Sequence, residues 1–425
     1  MRALLHISLI RGVVPAGVTI GGFTALAVAV LRRGWRWWAG VLAWAGLALA
    51  IVVLSAKVIR LTARVDNGFP FSFFVWAALP LFALGVVVRG WRQSRIWRRG
   101  ASVVAVLLLT AFCADTINAF YAYRPTVGDA LGAAMPDERP AHATLAASHR
   151  VQLDHGSLID VVIPSSTTFK PRPAVMWLPP DYTPTNASRW PVVMLLAGVP
   201  GDPSDMVRAG GVAQIADEYA VTHQGVAPIL VMPDQNGGFF HDTECVDGPR
   251  GYSETYLMSD VRTFLQQRYD AATDGRQWAI IGYSEGGTCA LTLALRHPNQ
   301  FGAFVDIAGD LEPNAVSGRR ARVRTVHALY GGQRAQWSAH APLLLLRQDP
   351  SPSSLLAVFA DGRLDRRHFR EGQILSAAAQ RDGFPTRFEA FPGGHSFWMV
   401  HSALTALLPS IADYVSLRTA DSGQT

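Results

Sequence analysis

Four apolar stretches fill the first 121 residues, at about Gly12 to Leu31, Trp37 to Ala56, Phe71 to Val88 and Ala101 to Tyr121. Each has roughly the 17 to 25 residues a helix needs to cross a bilayer core, where every backbone polar group must be satisfied within the chain. Residues 1–123 are therefore expected to form an all-α transmembrane domain of four helices. One cleaved signal peptide would explain only one such stretch. Arg32, Arg33 and Arg36 separate the first two stretches, and Arg89, Arg92, Arg95, Arg98 and Arg99 the last two. By the positive-inside rule both connections face the cytoplasm, which places Lys57, Arg60, Arg64 and both termini outside. Arg2 and Arg11 run against that orientation. Trp35, Trp37, Trp38, Trp91 and Trp97 lie near the expected boundaries and read as interfacial anchors. Asp115, beside Thr116 and Asn118, falls in the outer part of the fourth stretch and reads as an interfacial residue, because no other span carries a matching cation.

The rest of the chain has a different character. Residues 1–125 carry 14 Lys and Arg against Asp66 and Asp115, a balance of +12, and the remainder carries 24 against 30. With the positive charge confined to the membrane part, the overall net charge of +6 is no argument for a nucleic-acid partner. At 49% hydrophobic and 16% charged residues, the chain is also excluded from the disordered class. Residues 124–150, including MPDERPAHAT, read as a linker. Beyond it, short apolar runs (AVMWL, PVVMLLAG, APILVMP, QWAIIGY, AFVDIAGD, LLAVFADG, RFEAF) alternate with helical patterns up to a last helix near Ala403 to Leu417. Unbroken apolar strands separated by helices imply an α/β domain over residues 151–420, a mostly parallel sheet covered on both faces, followed by a disordered tail at 421–425.

Gly282-Tyr283-Ser284-Glu285-Gly286 is the strongest chemical signal. A G-x-S-x-G alone is weak, but this one follows a strand-like run and opens a helix, the setting of a nucleophile elbow. Ser284 needs a base, and His395 in FPGGHS follows the last apolar strand. His327, His340, His368 and His401 are weaker candidates, and His241 precedes the serine. The acid that orients the imidazole should lie beyond a strand end between the two. Asp365, three residues after Gly362, is the choice; Asp361 reads as a turn former, and Asp310 is the third option. The oxyanion hole is expected from the backbone N–H groups of Glu285 and Val199, since Pro200 has none.

AVMWLPPDYT, PVVMLLAGVPG, VMPDQNG, IIGYSEGGTCALTLALRHPNQF, the G-x-x-D of Gly362 to Asp365 and PGGHSFWMV together resemble the Putative esterase family of the α/β-hydrolase superfamily. That family includes S-formylglutathione hydrolases, feruloyl esterases and mycolyltransferases. The resemblance runs from about Leu158 to Leu417 and implies an α/β-hydrolase fold and acyl transfer through a serine, with no dissociable cofactor. Two positions depart from the pattern: Ala197 replaces a usual histidine, and Glu285 a usual methionine or glutamine, so that a carboxylate near the site is expected to disfavour acidic substrates.

The expected activity is that of an esterase in the cell membrane, acting outside the cytoplasm on a lipid or envelope ester. The alternatives are acyl transfer to a sugar or lipid alcohol, and a catalytically idle binding module of a membrane complex. Arg319, Arg320, Arg322 and Arg324 precede Tyr330 and Trp337, and Arg320, Arg322 and Trp337 are candidates to hold an anionic headgroup unless the run is a solvated loop. Cys245 and Cys289 are either free thiols or a bridge, which an oxidising exterior favours. No Cys/His spacing resembles a metal site, and the oligomeric state is open.

Overall fold

The computed structural model describes residues 7–31, 34–62, 71–92, 94–130, 155–184, 189–315, 320–348 and 354–421. These fall into two compact units, one holding the described residues up to Ala130 and the other those from His155 onward. Most of the expected linker, from 131 to 150, and nearly all of the expected tail lie outside the described residues.

The first unit is helical: α1 (Val13–Val30), α2 (Trp35–Thr62), α3 (Phe71–Gly90) and α4 (Ile96–Tyr121). All four are long and apolar enough to cross a membrane, and only 11% to 33% of each apolar window is buried within the structure. α1 packs on α4, α4 on α3, and α3 on α2. At one end, arginines and tryptophans pair, Arg89 with Trp37, Arg98 with Trp97 and Arg99 with Trp91, while Trp37 Nε1 donates to Val30 O at 2.8 Å. Asn118 caps the end of α4 through two 2.7 Å bonds with the backbone of Arg124. The start of the expected linker belongs to this unit: Leu9 N donates to Pro125 O and Val127 N to Ile7 O, and Asp129 accepts from Thr126 to close a short turn.

The second unit is an α/β-hydrolase fold. Its strands are β1 (Ser157–Val161), β2 (Ala174–Leu178), β3 (Val192–Leu196), β4 (Ile229–Met232), β5 (Trp278–Tyr283), β6 (Ala303–Ile307), β7 (Leu356–Gly362) and β8 (Thr386–Phe391). They form one sheet in the order β1-β2-β4-β3-β5-β6-β7-β8. β2 is antiparallel to both of its neighbours, and every later pairing is parallel. Strands β2 to β7 are buried along their whole length, which is why they read as continuous apolar runs rather than alternating ones. Covering helices include α5 (Val212–Thr222), α6 (Glu285–Arg296), α7 (Ala321–Tyr330), α8 (Arg366–Arg381) and α9 (Phe397–Asp421). The helical segment Ser253–Arg268 contains a π-turn over Tyr256–Val261. Because β3 and β5 to β8 run parallel, the residues following each of them emerge along one edge of the sheet, where ligands of open α/β sheets bind.

Candidate active site

Ser284 is the single residue between β5 and α6. Its backbone has φ 58° and ψ −119°, a conformation that a non-glycine residue adopts only under strain. The surroundings enforce it. Ser284 N donates to Ile307 O at 2.8 Å, while Ser284 O accepts from Gly287 N at 2.9 Å and Thr288 N at 3.1 Å. Gly286 has no room for a side chain, since a Cβ there would run into the carbonyl oxygens of Leu196 and Ala197. The loop after β3 lies equally close: a Cβ on Gly198 would stand 3.0 Å from Ser284 Cβ.

His395 follows β8, and its Nε2 is 2.9 Å from Ser284 Oγ. Its Nδ1 is 2.8 Å from Asp365 Oδ2. A carboxylate accepts only, so Nδ1 carries the hydrogen and Nε2 offers its lone pair to the serine hydroxyl. Asp365 is the N-cap of α8, with its side chain accepting from His368 N. The loops after β7 and β8 are tied together by Arg363 N to Phe391 O (2.9 Å) and Leu364 N to Gly393 O (2.8 Å), which brings Asp365 to His395. Tyr283 packs its ring against both His395 and Phe397.

The electrostatics suit a base. Burial alone would raise the Asp365 carboxyl, but hydrogen bonds and charge from His368 and His395 hold it well below the usual carboxylate range. The His395 imidazolium is disfavoured first by burial and further by the charge of His368, against the opposing pull of Asp365 and Asp310. The ring is therefore kept in the neutral form that can take a proton.

Glu285 opens α6 directly after Ser284, and Val199 follows Gly198 in the loop after β3. The Glu285 side chain turns inward. It is 6% exposed and accepts from Gln235 Nε2 (3.1 Å) and Asn236 Nδ2 (3.2 Å). Burial and then the charge of Asp242 raise its carboxyl to about 8. Its Oε1 lies 3.2 Å from Cys289 Sγ, which is bonded to Cys245 Sγ and so has no hydrogen to donate. The Glu285 carboxyl is thus buried, where its charged form is disfavoured.

The family model described as Putative esterase matches residues 165–411, more than half of the chain. The chain belongs to this family. An uncharacterised protein of Corynebacterium glutamicum is 28% identical to this esterase over 411 residues, covering 92% of this chain and 93% of the relative. A ferulic acid esterase structure covers 61% of this chain and 99% of its own, with a TM-score of 0.51 at 19% identity. An S-formylglutathione hydrolase from Agrobacterium tumefaciens covers 62% and 98%, with a TM-score of 0.50 at 18% identity. These two likenesses show the fold.

Other residues singled out in the esterase's sequence lie elsewhere. Asp361 is no turn former: it sits in β7, 1% exposed, and burial followed by the charge of Asp306 raises its carboxyl to about 8. Asp310 pairs with Arg367 at 2.5 Å and faces His368 Nε2 at 3.6 Å. Arg322 is already engaged, bonded to Glu312 at 2.6 Å and placed over the ring of the buried Trp337. Both line a cavity of about 490 Å³ that also holds Asp310, Glu312, Arg367 and Glu371, a mixed rather than cationic lining. Arg320 is exposed at the start of α7. Donor atoms of Asp365, His368 and His395 converge, but separations of 2.7 and 2.8 Å are those of hydrogen bonds, shorter than two ligands on one ion would keep. The sequence offers His368 only as a weaker candidate base, although a side chain three residues after an N-cap commonly reaches back to it.

Proposed function

We propose that this chain is a membrane-anchored serine esterase that works outside the cytoplasm on a lipid or cell-envelope ester. The observation that carries the reading is the unbroken hydrogen-bond path from Ser284 Oγ through His395 to Asp365 at a strained strand-to-helix turn. Ser284 Oγ attacks the ester carbonyl while His395 Nε2 takes its proton, and the oxyanion meets the N–H groups of Val199 and Glu285. Collapse breaks the bond to the leaving alcohol, which departs with the proton from His395. Water then attacks the acyl-enzyme, His395 again relays the proton, and the acid leaves. An acceptor alcohol in place of water would give transfer, and analysis of the products distinguishes the two.

The address rests on charge and redox chemistry. The arginine-rich connections after α1 and α3 favour the cytoplasm, so the chain beyond α4 emerges on the other side, where a Cys245–Cys289 bridge is stable. For the chemistry, a fluorophosphonate should label the purified chain and fail to label Ser284→Ala; labelling of that variant at another serine overturns the assignment. For the address, a membrane-impermeant maleimide on intact cells should reach Ser166→Cys and not Ser94→Cys. The reverse pattern moves the site to the cytoplasm.

A further inference from the structure

His368 lies outside the Ser–His–Asp set, yet it is bound into it on every side. Its Nδ1 is 2.7 Å from Asp365 Oδ2, the same oxygen that His395 Nδ1 reaches at 2.8 Å. Its Nε2 faces Asp310 Oδ1 at 3.6 Å. Its ring stacks on that of His395, with centroids 4.4 Å apart and planes 26° from parallel. Asp310 is itself pinned, its N–H donating to Thr288 Oγ1 on α6 and its carboxylate paired with Arg367.

His368 Nδ1 thus donates to one carboxylate while Nε2 faces a second at ion-pair distance, an arrangement that favours the doubly protonated, positively charged ring. Burial works against that charge, but the hydrogen bonds and charges of Asp310 and Asp365 raise His368 to about 10. The cation stands in the first turn of α8, where the helix dipole opposes it. A purely structural cap at this position would be better served by a neutral donor.

Resting on the esterase reading above, we propose that His368 is a positioning residue: it holds the Asp365 carboxylate for His395, and its fixed positive charge keeps the stacked His395 unprotonated so that the base works at lower pH. The other charged groups facing this pair are few. Asp306 from β6 and Asp361 from β7 are buried acids raised, chiefly by burial, to about 7 and about 8. Asp310 follows β6; Arg367 and Glu371 come from α8. With His368 neutral, two carboxylates would face His395 with only Arg367 to offset them, and its imidazolium would be favoured.

The test is the pH dependence of kcat/KM for a short nitrophenyl ester, measured on the full chain in detergent. His395 must be neutral to act, so its ionisation sets the acid limb. His368→Asn keeps a donor toward Asp365 and removes the charge, and should move that limb up by about one pH unit. Asp310→Asn removes an anion while His368 keeps Asp365, and should move the limb down. On the alkaline plateau His368→Asn should keep KM and lose about tenfold in kcat. A limb unmoved in either folded variant, or moved the same way in both, overturns the proposal; if His368→Asn does not fold, His368→Gln is read in its place, and an acid limb left at the wild-type position there overturns the proposal. Ser284→Ala run alongside separates the two readings, because turnover that survives it overturns the triad itself, whereas turnover lost there with unmoved limbs overturns only the role of His368.

Discussion

In the helical unit Leu42, Leu54 and Leu107 keep 69%, 62% and 64% of their surface exposed, whereas Leu178, Leu195 and Leu196 in the sheet keep 1%, 0% and 0%. Both regions are built from unbroken apolar sequence. The difference is in run length and in what satisfies the backbone. Runs of about 20 residues form helices whose hydrogen bonds close within the run, so their side chains are free to face lipid. Runs of about five must find neighbouring strands, and the sheet they make is covered on both faces. Hydrophobicity therefore says that a segment avoids water, and its length says which alternative environment it takes.

The largest effect that would separate the two units is chemical. His395→Ala should lower kcat/KM by roughly 10³- to 10⁶-fold in an ester assay, with membrane extraction unchanged. Asp365→Asn should cost less than that and far more than Asp361→Asn, because Asp365 is the one of the two that accepts from His395. A larger loss in Asp361→Asn would reassign the acid.

The next effect tests packing directly. Leu195→Ala should destabilise the esterase unit by about 2 to 5 kcal/mol in a denaturant titration, from lost transfer and a cavity. The same change at Leu107 should cost less than about 1 kcal/mol, because a leucine with 64% of its surface exposed leaves no protein cavity behind. Equal losses would mean that α4 is packed against protein.

A smaller effect is pH-dependent. The Glu285 carboxyl is raised in the folded state to about 8 from an ordinary value near 4.5. Its contribution to stability is thus complete below about pH 4.5 and is lost as pH rises through about 8. Glu285→Gln should remove that loss, raising stability at pH 8.5 relative to pH 5.5 by roughly 1 to 3 kcal/mol. Turnover should persist, since the proposed mechanism uses only the backbone N–H of Glu285. A melting temperature with the wild-type pH slope would show the carboxyl to be solvated. The smallest effect belongs to Arg322→Gln, about 0 to 1 kcal/mol for an exposed pair with Glu312, with hydrolysis of a neutral ester unchanged. A specific rise in KM for an anionic lipid ester would restore the headgroup role read from its arginine-rich sequence.

What the amino-acid order determined by itself was local or strongly periodic. Four helices long enough to span a membrane, the succession of strands and helices and the elbow at Ser284 rest on patterns within about 20 residues, where chain geometry alone sets which side chains meet. Ser284, Asp365 and His395 were legible because each follows a strand end, and parallel strands put their ends along one edge. Only the tertiary structure decided the rest. It buried the Glu285 carboxyl against Gln235 and Asn236, gave Arg322 to Glu312, and set His368 between two carboxylates and against His395. Those outcomes depend on distances between residues far apart in the chain and on the balance of charges in a medium of low dielectric, neither of which a run of neighbouring residues records.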